Sequence, residues 1–155
     1  MKKLILSVIA LFCVSLASAP AQEAKSKNLN NLDSSGIAIQ GYDPVAFFTD
    51  GKPVKGTTEF VARYKGATYQ FSSKEHRDTF KASPSKYEPA FGGYCAYGLS
   101  KKKLVEIDVE AFQIVDGRLL LQYSKGVRDD FNKDAKANLS KADANWPELL
   151  EKKGK

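Results

Sequence analysis

Chemistry in this chain would have to rest on very few side chains. It has one histidine, His76, and two cysteines, Cys13 and Cys95. Cys13 lies in an apolar run near the N-terminus, so Cys95, within Phe91–Gly98 (FGGYCAYG), is the thiol that matters. A thiolate and an imidazole suit a soft ion, copper or zinc. With a carboxylate such as Asp43 or Glu75, Cys95 and His76 would give a three-ligand metal site. A closed structural zinc site takes about four ligands, mostly Cys and His. One chain cannot supply that from one of each, whereas a site shared across a homodimer would have two of each.

The same pair could act as nucleophile and base. No third orienting residue and no oxyanion-hole motif stands beside it. The sequence also lacks a dinucleotide fingerprint, a Walker loop, a Cys-x-x-Cys pair and a haem attachment motif. No catalytic residue is assigned, and a non-enzymatic binding protein is the leading expectation. Two other readings compete with metal handling. Cys95 could be a redox thiol that meets oxidants or forms mixed disulfides, which needs exposure and nearby positive charge. It could instead be a small buried hydrophobe in an interaction module, which needs apolar neighbours.

The N-terminus points to export. Lys2 and Lys3 precede the apolar run Leu4–Ala17, and the small residues Ala17-Ser18-Ala19-Pro20-Ala21 follow it. The run is shorter than the roughly 18 residues a spanning helix needs. Basic start, apolar centre and small-residue end are the order of a secretory signal. Cleavage after Ala21 leaves Gln22 first and places the protein in the periplasm. Removing Lys2 and Lys3 lowers the net charge from +6 to +4 (6 − 2). The lysines are spread along the chain, and Lys101–Lys103 reads as a solvated loop. Nucleic-acid binding is not expected, nor is a transmembrane segment in the mature chain. With one mature cysteine no internal disulfide can form, so stability must come from the core.

Residues 22–35 are polar and read as a flexible lead-in. Gly36–Gln40 reads as a short first strand. Asp43-Pro44 predicts a helix start, an N-cap carboxylate followed by proline at the first helical position. Thr58–Tyr64 and Ala67–Phe71 alternate about Lys65-Gly66 and predict a hairpin. Ser72-x-x-Glu75 predicts a capping box, with a helix over 73–82 that Pro84 ends. Tyr94–Tyr97 reads as a short strand with Cys95 and Tyr97 on one face, and Leu104–Ile107 as another. Asp108 is expected to cap a turn over 109–112. Gln113–Val115 and Arg118–Tyr123 predict a second hairpin about Asp116-Gly117. Helices over 127–139 and 142–150 close the chain. Asp43-x-x-Ala46-Phe47 echoes Asp108-x-x-Ala111-Phe112, which reads as one capped turn used twice and not as a repeat. Strands and helices mix without βαβ alternation, so the class is α+β.

The string GYDPVAFF, followed by YKGATYQFSSKEHRDTFKASPSKYEPAFGGYCA, resembles the YHS domain family. The likeness runs through Tyr69-x-Phe71-Ser72-Ser73, Phe80, Pro84, Tyr87, Pro89, Gly92-Gly93 and Tyr94-Cys95, over about Gly41–Gly98. It implies a small β-hairpin-plus-helix unit similar to treble-clef metal modules, here residues 36–98. The later residues, with Asp116-Gly117 and Ala144-x-Trp146-Pro147, resemble the C-terminal extension of exported bacterial members, making 99–155 a hairpin and helical extension of the same domain. In metal-binding relatives a cysteine follows the Asp-Pro motif and another follows the aromatic strand. The corresponding residues here are Ala46 and Ser72.

Overall fold

The computed structural model describes residues 27–155; the apolar run, Cys13 and the proposed cleavage site lie outside them. The chain is α+β, with two separate antiparallel hairpins and six α-helices among the described residues. The first hairpin joins β1 (Thr57–Tyr64) to β2 (Ala67–Phe71), and the second joins β3 (Asp108–Val115) to β4 (Arg118–Gln122). The helices are α1 (Ala46–Thr49), α2 (Lys74–Ala82), α3 (Pro84–Tyr87), α4 (Ala96–Ser100), α5 (Lys125–Asn132) and α6 (Ala135–Lys153). No helix among the described residues is long and apolar enough to cross a membrane.

Both hairpins turn where the sequence places them. Lys65-Gly66 and Asp116-Gly117 take left-handed backbone at both positions, with φ 47° and 78°, and 51° and 73°. That is the twist a two-residue hairpin turn requires. β4 explains the run Leu119-Leu120-Leu121. All three are fully buried, with Leu119 and Leu121 in one apolar cluster and Leu120 in the other. A strand covered on both faces reads as continuous rather than alternating. The larger cluster gathers Phe47, Phe71, Phe80 and Cys95; the smaller gathers Phe91, Leu99, Phe131 and Leu149, with Trp146 packed against it.

Several elements differ from their sequence reading. Gly36–Gln40 is no strand: Ile37 makes one isolated bridge to Thr68, and Ile39, Gln40 and Gly41 then turn left-handed. Tyr94–Tyr97 is not a strand either, because Cys95 caps α4. Leu104–Ile107 makes no strand, although Val105 accepts the Cys95 N–H. Residues 109–112 belong to β3, in a stretch where its register with β4 shifts. The helix expected over 127–139 breaks between α5 and α6, and α6 runs on through Pro147. Ser73 rather than Ser72 caps α2, accepting from the His76 N–H at 3.1 Å.

The echo between Asp43 and Asp108 joins unlike elements, α1 and β3, but the chain does contain an internal repetition in another register. β1–β2 and β3–β4 have the same lengths and the same register irregularity, between Thr57 and Val61 and between Asp108 and Phe112. Each hairpin leads into a serine-capped helix: Ser73-Lys74-x-x-Arg77-Asp78-x-Phe80 matches Ser124-Lys125-x-x-Arg128-Asp129-x-Phe131. Before each hairpin stands a left-handed triple, Ile39-Gln40-Gly41 (φ 51°, 52°, 77°) and Phe91-Gly92-Gly93 (φ 55°, 60°, 84°). Each triple leads to a short helix, α1 or α4. Even the isolated parallel bridges correspond, Ile37 to Thr68 and Pro89 to Leu119. From Ile37 onward the described residues are therefore two copies of one unit, with α3 added to the first and α6 to the second.

α6 is tied back by charge. Glu148 accepts hydrogen bonds from Lys152 at 2.6 Å and Lys102 at 2.9 Å. These bonds hold its carboxyl down to about 2, against an ordinary 4.5. A depressed folded value gives stability that is present above the unfolded value and lost as pH falls through the folded one. Glu148→Gln is expected to melt below the parent at neutral pH. Thermal unfolding by circular dichroism should show that gap closing between pH 4.5 and pH 2.

Candidate functional site

Asp43 is the most tightly held polar group described. It is fully buried, yet its carboxylate accepts five hydrogen bonds. Oδ1 accepts from the N–H of Val45 at 2.9 Å and of Ala46 at 3.3 Å, which starts α1. Oδ2 accepts from the Ser72 N–H at 2.9 Å and the Ser72 hydroxyl at 2.7 Å, and lies 2.7 Å from His76 Nδ1. A buried carboxylate is tolerable only when its lone pairs are answered in this way. Asp43 Oδ1 caps the turn as expected, but Pro44 is not the first helical residue, since the regular helix starts at Ala46 with Val45 before it.

Asp43 also fixes the histidine. A carboxylate at Nδ1 calls for the tautomer with the proton there, leaving Nε2 as the acceptor. Nε2 lies 3.5 Å from the Thr49 hydroxyl, at the outer limit of a hydrogen bond. Thr49 Oγ1 instead donates to Asp50 at 2.7 Å, with the Val45 carbonyl at 3.2 Å. Both of these acceptors lie closer to the hydroxyl than Nε2 does, which favours Thr49 bonding to them over the imidazole.

Cys95 belongs to a different place. It is 1% exposed and packs in the larger apolar cluster. Its Sγ accepts from the Gly98 N–H at 3.4 Å and donates to Gln122 Oε1 at 3.3 Å. Gln122 is fully buried, and the same Oε1 accepts the Tyr97 N–H at 3.0 Å, so one amide oxygen ties the start of α4 to the end of β4. Its Nε2 has no partner among the described residues.

Superposing the two repeats in sequence order puts Cys95 where Asp43 stands. Gly41-Tyr42-Asp43 corresponds to Gly93-Tyr94-Cys95. The Asp43 N–H donates to Val54 O at 2.9 Å, and the Cys95 N–H donates to Val105 O at 3.0 Å. Each side chain then accepts from an N–H of the short helix that follows it. Each also bonds to the end of its own hairpin, Asp43 to Ser72 and Cys95 to Gln122. His76 has Val127 as its counterpart, so the imidazole of the first repeat has no equivalent in the second.

The family model of the YHS domain matches residues 45–90. The chain carries a YHS domain. The match spans α1, the first hairpin, α2 and α3, and ends where the second repeat begins. No curated protein matches the chain, and no solved structure does. Ala46 and Ser72 of the YHS domain, where the resemblance leads one to look for thiolates, are joined through the Asp43 carboxylate. That donor set of carboxylate, hydroxyl and one imidazole does not fit a soft ion.

Cys95 and His76, the ligand pair suggested by the sequence, hydrogen-bond to separate partners, Gln122 and Gly98 for one and Asp43, Ser72 and Thr49 for the other. Of the two candidate carboxylates, Asp43 meets His76, while no contact joins Glu75 to it. Among the described residues no group of three or more His, Cys, Asp and Glu side chains is placed to hold a metal ion. Sequence reasoning missed Ser72 as a partner of Asp43 and Gln122 as the partner of Cys95. A glutamine following three leucines in a fully buried strand was the available signal for the latter.

Proposed function

We propose that this is an exported, non-enzymatic binding protein built on a YHS domain, in which Cys95 serves the fold. The observation that carries this reading is the correspondence between Cys95 and Asp43. Both cap a short helix and clamp it to a hairpin end, and the thiol is spent on Gln122 and Gly98. A sulfur 1% exposed lacks the access that a redox thiol needs. Export is supported by the basic, apolar and small-residue order of the N-terminus.

The test is native mass spectrometry of the mature protein taken, without chelators, from the compartment into which it is exported, beside Cys95→Ser and Cys95→Ala. The expected spectrum of each is free of stoichiometric copper or zinc, with an unmodified thiol in the parent. Serine also caps helices, so Cys95→Ser is expected to lie within about 1 kcal/mol of the parent in urea unfolding, and Cys95→Ala to lose roughly 1–2 kcal/mol. A copper or zinc adduct lost in Cys95→Ser would overturn the reading in favour of metal handling. A thiol-capped or oxidised Cys95 would overturn it in favour of redox chemistry.

A further inference from the structure

Away from Asp43 and Cys95, the described residues form a cavity of about 300 Å³ where the two repeats meet the lead-in and α6. The turn of each hairpin reaches it, through Lys65 and through Gly117-Arg118. The left-handed segment at Phe91-Gly92 forms its back, α6 contributes Trp146 and Leu150, and the lead-in from Lys27 to Asn30 closes one side. The lead-in is fixed there: the Asn31 N–H donates to Gly92 O at 2.8 Å, and Asn28 exchanges backbone bonds with Lys155 at 3.0 and 2.9 Å. The cavity thus draws on the lead-in, the second hairpin and α6 as well as on the YHS domain.

Its walls combine two chemistries. Phe91 and Trp146 meet edge to face, with ring centroids 6.0 Å apart and planes inclined at 71°, and form an apolar corner. The Arg118 guanidinium lies 5.1 Å from the Phe91 ring centroid. Four cations line the cavity, Lys27, Lys65, Lys86 and Arg118, against one carboxylate, Glu88. Lys27, Lys65 and Arg118 pair with Glu151, Glu88 and Asp143 at the surface. Exposed pairs of this kind are worth little and exchange readily with another anion. Lys86 has no ion-pair partner among the described residues; its ammonium lies 5.1 Å from the Tyr87 ring centroid, a contact that leaves its charge uncompensated by a carboxylate. Phe91 is held at φ 55°, a conformation that costs a side-chain-bearing residue on the order of 1–2 kcal/mol. That fixed backbone holds the ring between Arg118 and Trp146.

We infer that this junction cavity binds a small organic anion with a flat apolar body, an aromatic carboxylate in chemical class. The ring lies against Phe91 and Trp146, and the carboxylate faces Lys86 and its neighbouring cations. The volume stands at the low end for small-molecule sites, which run from about 300 to 1,000 Å³, so a single ring with a short acidic arm is the size expected. The inference rests on the reading of the protein as a non-enzymatic binder and gives that binder a ligand class.

Trp146 is the only tryptophan in the chain, so its indole N–H is a unique resonance in a proton–nitrogen correlation spectrum. The protein is titrated with phenylacetate, with neutral phenylacetamide, and with inorganic phosphate. Phenylacetate is expected to shift the Trp146 resonance saturably, and the other two only weakly. Lys86→Glu, at an exposed position, is expected to weaken phenylacetate about fivefold or more. Lys52→Glu, the same charge change outside the cavity, should leave the affinity unchanged. Equal shifts with phenylacetamide or with phosphate, the same loss in Lys52→Glu, or no saturable shift with phenylacetate would each overturn the inference. Phenylacetate that binds and is chemically consumed would leave the cavity standing and overturn the non-enzymatic reading. Phenylacetate that neither binds nor changes would do the reverse.

Discussion

Asp43→Ala is expected to remove roughly 3–5 kcal/mol of stability, read as a lower denaturation midpoint in urea at unchanged slope. The carboxylate is fully buried and answers three backbone N–H groups, one hydroxyl and one imidazole. Alanine would strand donors that water cannot reach, and each buried group left unsatisfied costs about 1–3 kcal/mol. A domain of this size has about 5–15 kcal/mol in all, so the variant should sit near the edge of folding. His76→Ala removes one donor at a side chain that is 21% exposed, and about 1 kcal/mol is expected. If Asp43→Ala and His76→Ala lost equal amounts, the carboxylate would be acting on the histidine alone and not on α1 and Ser72.

Gly92→Ala is expected to cost roughly 2–4 kcal/mol, from a left-handed backbone and an overlap together. Gly92 lies at φ +60°, and a Cβ built there would stand 1.9 Å from the Leu29 carbonyl oxygen. Backbone cannot move aside as a flexible side chain can, so the lead-in must lift. Amide exchange at Asn31, whose N–H donates to Gly92 O, should accelerate well beyond the global change in stability. Gly117→Ala separates the two causes. It has φ +73° with nothing within 4 Å of an added Cβ, so only the conformational cost of about 1–2 kcal/mol applies. Equal losses for the two variants would mean that the lead-in does not press on Gly92.

The hairpins were legible because their turns are local chemistry. Lys65-Gly66 and Asp116-Gly117 sit between alternating or apolar runs, and both residues of each turn adopt the left-handed backbone expected. The α+β class and the YHS likeness rested on equally local strings. Cys95 was misjudged as a strand residue because a short apolar run does not distinguish a strand from the cap of a buried one-turn helix. The repeat was missed for a related reason. Asp43-x-x-Ala46-Phe47 and Asp108-x-x-Ala111-Phe112 share letters, but the first leads into α1 and the second lies in β3. Their aromatic members instead pack against each other, Phe47 on Phe112 with ring centroids 4.9 Å apart.

The true correspondence, Asp43 with Cys95, hides behind a change of chemistry from carboxylate to thiol. Its flanks were readable all the same, in Gly-Tyr before each residue and in the shared Ser-Lys-x-x-Arg-Asp-x-Phe. The pairing of Asp43 with His76 and Ser72, and of Cys95 with Gln122, could not be read so directly. Those contacts close only when each hairpin folds back onto the short helix before it, a tertiary event with no sequence periodicity to announce it.

The most direct measurement is the rate at which iodoacetamide alkylates Cys95 across a urea titration, compared with the same thiol in the fully unfolded chain. A thiol that clamps α4 to β4 should react only as fast as the protein opens, so labelling should follow the unfolding transition and be slowed in native buffer by several orders of magnitude. Alkylation in native buffer at the rate of the unfolded chain would contradict it. Cys95 would then be accessible in the folded state and available to a metal or an oxidant.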